Sequence, residues 1–150
     1  MLRKLIVAVL CVSAASPALA ADVTYRKDIR PLWEAKCAAC HGAQAPYLGE
    51  FKENKEKYKA ASQGPRMDTY ADLLFFVAWP DTGALMRRLD DGKNAKDGKP
   101  GNMYLYLGAT ENERQQNLKL FKAWVGEDAW TLKRRDDITR EELCRIKAKY

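Results

Sequence analysis

Cys37-Ala38-Ala39-Cys40-His41 is the stretch of this 150-residue chain on which the rest of the reading depends. Two cysteines three positions apart lie about one helical turn from each other, so both thiols reach the same side of the chain. His41 follows at once and offers a ring nitrogen. The C-x-x-C-H spacing is that of a c-type haem attachment site, with Cys37 and Cys40 as thioether links to the two vinyl groups of one porphyrin. His41 would then be the proximal ligand of the haem iron.

Other uses of the same residues are weaker. Once residues 1–20 are set aside as a leader, the chain keeps three cysteines (Cys37, Cys40 and Cys144) and one histidine, His41. A thioredoxin-like C-x-x-C needs a strand before it, whereas Thr24 to Lys36 read as a helix. A structural zinc site built on Cys37, Cys40, His41 and Cys144 lacks the second spaced pair that such sites normally bring. A bare dithiol in an exported protein would more simply be a disulfide.

The N-terminus points to export. Arg3 and Lys4 precede the short apolar stretch Leu5–Val12, and small residues lead to Ala18-Leu19-Ala20. This is the pattern of a secretory signal peptide spanning residues 1–20, with cleavage expected after Ala20. Its apolar stretch is far shorter than the ~20 residues of a membrane-spanning helix. Cys11 would suit a lipid-anchored protein, but Leu10 stands before it where a small residue belongs. The expected location is therefore the periplasm or an equivalent exported space. Without Arg3 and Lys4, 24 basic side chains face 20 acidic ones, a formal charge of +4. The charges interleave, as in Lys52-Glu53-Asn54-Lys55-Glu56-Lys57, with no platform for nucleic acid.

Apolar residues recur at helical spacing through most of the chain. Tyr25, Ile29, Leu32, Trp33, Cys37 and Cys40 form one stripe over residues 24–41. Thr24 or Asp28 can cap it, and Gly42 ends it. Residues 43–66 are polar, with one exposed helical stretch expected at Glu50–Ala60. Asp68 is expected to open a second helix through Tyr70, Leu73, Leu74, Phe76 and Val77, stopped by Pro80. Thr82–Leu89 reads as a short helix, and 92–102 as a Gly- and Pro-bearing loop. Thr110-Glu111-Asn112-Glu113 is a capping box for an amphipathic helix that turns Leu118, Phe121, Trp124 and Val125 to the core. Thr139-Arg140-Glu141-Glu142 is a second box, opening a charged helix toward Lys149. No stretch alternates with a two-residue period, so the expected fold class is all-α.

A helix leading into C-x-x-C-H, then helices, then a methionine loop before an amphipathic helix resembles the class I mono-haem c-type cytochromes. The resemblance covers Thr24 to Gly126, and Asp28-Ile29-Arg30-Pro31-Leu32-Trp33 is similar to the lead-in of bacterial periplasmic cytochrome domains. It implies a small helical domain around one covalently bound haem c and its iron. Crossing N- and C-terminal helices would pack Ile29, Leu32 or Trp33 against Phe121 and Trp124. The expected organisation is leader 1–20, cytochrome c domain 21–126 and a C-terminal extension 127–150 packed on or beside it.

Three methionines, Met67, Met86 and Met103, are available as a second axial ligand, and with one histidine a bis-histidine site within the chain is excluded. The resemblance implies a distal thioether from a loop before the last helix, which is the place of Met103 after Lys99-Pro100-Gly101-Asn102. Gly101 would let that loop approach the haem plane. Met67 and Met86 stay open as alternatives, each equally suited to filling a core gap.

With both axial positions filled by protein, the iron is left to pass single electrons. Phe75, Phe76, Trp79 and Tyr104 or Tyr106 are candidates to pack around it. The resulting expectation is a periplasmic electron-transfer protein, not an enzyme, that meets redox partner proteins with acidic surfaces. Lys93, Lys96 and Lys99 are candidates to steer them. Two other functions compete: a haem-bearing subunit of a larger membrane-associated redox complex, docked through 127–150, and a haem enzyme or gas sensor with an open distal side. Cys144 is expected to be a partly buried thiol on the apolar side of its helix.

Overall fold

The computed structural model describes residues 22–150. The expected leader 1–20 and its cleavage after Ala20 lie outside the described residues. Everything regular in the described chain is helical, and it contains no strand. No described helix is long and apolar enough to cross a membrane.

The chain enters through a π-helical turn, Tyr25–Ile29, which runs directly into α1, Arg30–Lys36. Thr24 and Asp28 share the capping: the Thr24 hydroxyl accepts from the Lys27 amide, and the Asp28 carboxylate accepts from the Thr24 amide at 2.8 Å. Pro31 falls in the first turn of α1, where its missing N–H costs no helical bond. The helix breaks at Cys37 (φ −121°), so the expected continuous stripe is two helices, with the short α2 at Ala38–His41. Two exposed helices follow, α3 at Leu48–Glu53 and α4 at Lys55–Ala60.

The second buried helix, α5, spans Tyr70–Val77, and its cap is Thr69 rather than Asp68. Asp68 instead takes two bonds from the Arg66 guanidinium, at 2.5 and 3.1 Å, which removes its carboxylate from the capping position. Helix α6 is Ala84–Leu89, and the loop from Asp90 returns to a 3₁₀ turn at Tyr104–Leu107. The longest helix, α7, is Glu111–Val125, capped by the Thr110 hydroxyl as expected, but the Glu113 carboxylate takes the Ala109 amide and Lys36 in place of the reciprocal bond of a capping box. A final helix, α8, runs only from Arg140 to Leu143, so the expected charged helix stops well before Lys149.

One core unites these elements. Ile29, Leu73, Val77, Met86, Phe121, Trp124 and Val125 are fully buried, and Trp33 nearly so. Burying each large apolar side chain contributes about 1.5–3 kcal/mol. The N-terminal segment lies along α7 as the resemblance implied. Tyr25 and Trp124 rings meet at 6.4 Å near one end, and Lys36 pairs with Glu113 at 2.5 Å near the other.

Residues 127–150 fold back onto this core. The Tyr25 amide and the Trp124 indole N–H both donate to the Lys149 carbonyl, at 2.8 and 2.9 Å. The Tyr70 hydroxyl donates to the carbonyl of Ala148, which is itself buried. Tyr150 completes a cluster of three tyrosine rings with Tyr25 and Tyr70, and the Arg26 guanidinium lies 5.1 Å above its ring. Cys144 is exposed, not partly buried as expected, because α8 ends there and the chain turns its apolar side inward at Ile146 and Ala148 instead.

Candidate haem site

The site is built where α1 gives way to α2. Cys37, Cys40 and His41 are all partly buried there. Burial, with the neighbouring Cys40 adding to it, pushes the Cys37 thiol up to about 11. The α2 turn is held from outside by the segment Gly64–Met67. The Gly64 amide donates to the Cys40 carbonyl at 2.8 Å, and the Met67 amide to the His41 carbonyl at 2.9 Å. Between these two bonds, the His41 Nδ1–H donates to the Pro65 carbonyl at 2.7 Å.

That last bond decides the chemistry of His41. A carbonyl only accepts, so the ring proton is at Nδ1 and the lone pair at Nε2. Burial lowers the pKa of the imidazole, and the Pro65 bond only partly offsets this, so the ring is neutral at pH 7. A neutral imidazole with Nδ1 anchored presents Nε2 as a metal ligand in a fixed orientation. Gly64 makes room for it: a Cβ at that position would stand 2.1 Å from His41 Cε1 and 2.8 Å from Nε2. The residues therefore fit a c-type haem: two thiols a turn apart, then an imidazole whose open nitrogen is aimed by its own second bond. No group of three or more His, Cys, Asp or Glu side chains could hold a metal ion among the described residues, so the four-ligand zinc set does not assemble.

The three methionines separate clearly. Met67 is partly buried, and its backbone amide donates to the His41 carbonyl. Met86 is fully buried within α6. Met103 is partly buried at the end of the 90–103 loop, and its amide donates to the Arg88 carbonyl at 3.0 Å. Gly101 serves a different close approach from the expected one. A Cβ there would lie 2.3 Å from the Arg88 carbonyl oxygen and 2.4 Å from that of Arg87, so this glycine seats the loop on the end of α6.

The aromatic candidates divide too. Phe75 and Phe76 meet edge to face at 5.0 Å and, with Tyr47 and Leu48, wall a groove of about 360 Å³ edged by Lys52, Arg66 and Asp72. Tyr104 is buried, its hydroxyl bonded to Glu111 and Gln115. Trp79 and Tyr106 are mostly exposed, and Arg135 lies over the Trp79 ring. In the loop, Lys93 pairs with Asp91 at 2.9 Å, while Lys96 and Lys99 are exposed and make no ion pair among the described residues. Sequence reasoning passed over two residues that organise this region, Asp90 and Trp130. Asp90 reads as an ordinary polar loop residue: three of its donors are local, at Gly92 and Asn94, but the fourth, Trp130, comes from 40 residues later.

A family model described as PccH cytochrome c matches residues 24–150, running through the C-terminal segment as well as the motif. The solved structure of monoheme cytochrome PccH from Geobacter sulfurreducens is 61% identical, with a TM-score of 0.79. The match covers 86% of this chain and 99% of that one. No curated protein matches the chain significantly. The anchored imidazole, the paired thiols and the family match along the whole described helical chain agree. This protein belongs to the PccH cytochrome c family and is a mono-haem c-type cytochrome, an electron-transfer protein with one covalently bound haem c and its iron.

Proposed function

We propose that this cytochrome is a periplasmic single-electron carrier whose haem is linked through Cys37 and Cys40 and ligated by His41 and Met103. The observation that carries the reading is the His41–Pro65 bond, which leaves Nε2 as the ligating nitrogen directly after the second cysteine of the motif. When bound, a c-type haem supplies reversible one-electron exchange at its iron. The chain's own residues do the rest. The Pro65 carbonyl raises the basicity of His41 and holds its tautomer, Gly64 gives the ring its space, and the Gly64 and Met67 amides fix the turn that presents it. Met103 is assigned the distal position because it stands in the loop before α7, where the resemblance puts that ligand, whereas Met86 is enclosed in the core. A thioether in that position favours the reduced metal and excludes other ligands.

The export pattern of residues 1–20 supports a periplasmic location. Docking with acidic redox partners is supported by the exposed Lys96 and Lys99 in the loop that leads to Met103.

A reduced-minus-oxidised spectrum of the native protein, with and without carbon monoxide, tests the closed site. The carrier reading expects a low-spin spectrum unchanged by carbon monoxide, one haem mass retained after denaturation and acid–organic extraction, and electron exchange that slows with salt. Ready carbon monoxide binding, or peroxide turnover without ligand loss, refutes it.

A further inference from the structure

Asp90 is a buried carboxylate, 1% exposed, at the point where α6 opens into the loop that ends at Met103. It makes no ion pair among the described residues, and neutral donors alone hold it. The Gly92 amide donates at 2.9 Å, the Asn94 amide at 3.3 Å, the Asn94 side-chain amide at 2.7 Å and the Trp130 indole N–H at 2.9 Å. The first three come from the loop itself. Trp130 is the one donor from the C-terminal segment, and it reaches the carboxylate from outside.

The same residue closes the far end of the loop. The Asp90 carbonyl accepts from the Gly101 amide at 2.8 Å, and two residues on, the Met103 amide donates to Arg88. Gly101 has no room to slide, since the Arg87 and Arg88 carbonyls already lie where its Cβ would be. Displacing Asp90 therefore displaces Gly101 and Met103 with it. The segment carrying Trp130 is itself pinned to α6: Arg87 Nη1 donates to the Lys133 carbonyl at 2.9 Å and to that of Leu132 at 3.4 Å. The Lys122 ammonium stands 5.5 Å above the Trp130 ring.

We propose that Trp130 and Asp90 are positioning residues for the distal ligand: their bond keeps the 90–103 loop closed on α6 and so holds Met103 on the iron. The proposal rests on Met103 being that ligand. Its physical basis is the cost of a buried carboxylate that loses one of few neutral donors. Without the indole N–H, the carboxylate moves toward water and opens the loop at the Met103 end. Residues 127–150 then act as a brace on the redox centre, in addition to covering the core.

The test uses the full-length haem-loaded protein, with the weak near-infrared band of ferric iron–thioether ligation as readout and imidazole as the competing ligand. Trp130 is only partly buried, so Trp130→Phe keeps an aromatic ring there and removes the N–H together with the five-membered half of the indole. Asp90→Asn is the second variant, removing the charge and keeping the shape. Both are expected to lose the band at an imidazole concentration about tenfold lower than the unaltered protein. Tyr58→Phe, on the exposed helix α4 and outside the loop, should match the unaltered protein. A band that depends on Met103 but titrates within twofold of the unaltered protein in both loop variants overturns the proposal alone. A band that is absent, or that survives Met103→Ala, overturns the ligand reading and the proposal with it.

Discussion

The imidazole of His41 and the carbonyl of Pro65, 24 residues apart in the chain, meet in a 2.7 Å hydrogen bond that fixes which ring nitrogen is free. The bond is part of a larger contact. The segment Gly64–Met67 runs beside the α2 turn and binds it at Cys40 and at His41, so the ring, its tautomer and its backbone are set by one piece of chain.

Gly64 is the sensitive point of that contact. Gly64→Ala would put a methyl group 2.1 Å from His41 Cε1, forcing the ring to tilt away from Pro65. The expected cost is about 1–3 kcal/mol of stability. A weakened Nδ1 bond also makes the imidazole a poorer donor, so the reduction potential should rise. Gly49→Ala, with nothing within 4 Å, is the matched control. Thermal unfolding and protein-film voltammetry read both effects, and an unchanged potential would remove the role given to Pro65.

Met103→Ala should abolish the near-infrared thioether band and open the ferric and ferrous iron to added ligands. Met67→Ala should leave the band in place, since its backbone is bonded to that of His41. Met86→Ala should also keep the band, but it should cost about 2–5 kcal/mol through the cavity left in a fully buried site. Loss of the band only in Met86→Ala would reverse the assignment.

Acid should weaken the loop through Asp91. Burial alone would raise its carboxyl, but bonds from the Lys93 ammonium and the Gln115 amide outweigh burial and hold it at about 2, below the ordinary 3.8. Because the folded value is the lower one, the group stabilises the fold above 3.8, and that contribution is lost as pH falls toward about 2. The stability gap between the native protein and Asp91→Asn should therefore be present at neutral pH and shrink over that window. Denaturant unfolding at stepped pH measures it, and a gap that stays constant into acid would exclude this role.

The C-terminal tail should loosen when one of its side-chain ties is cut. Tyr70→Phe removes the bond to the Ala148 carbonyl, at an expected cost of about 1 kcal/mol, or ~4 °C in the thermal midpoint. The amides of Lys147 and Ala148, which donate to Val125 and Trp124 at 2.8 and 2.9 Å, should exchange faster. Hydrogen exchange read at those two residues checks the effect.

Local chemistry was legible from residue order alone. The C-x-x-C-H motif, the caps at Thr24, Thr110 and Thr139, and the apolar stripe of α7 each depend on neighbours within about a turn, where spacing dictates geometry. The all-helical class followed from the same periodicity. Apart from the packing of the N-terminal segment on α7, which the resemblance implied, what lay beyond the sequence was the contact between distant segments. Asp68 loses its capping place to Thr69 because Arg66 engages its carboxylate in the folded chain. Gly101 packs on the Arg87 and Arg88 carbonyls, and Asp90 accepts a bond from a tryptophan 40 residues away. The tail from Lys147 to Tyr150 docks on Tyr25, Tyr70 and Trp124 through bonds to its own backbone, which no side-chain pattern announces. Spacing along a helix is set by covalent geometry and can be read residue by residue. Which segments meet is settled only when one core buries them together, and in this chain that packing aims His41 and seats the loop of Met103.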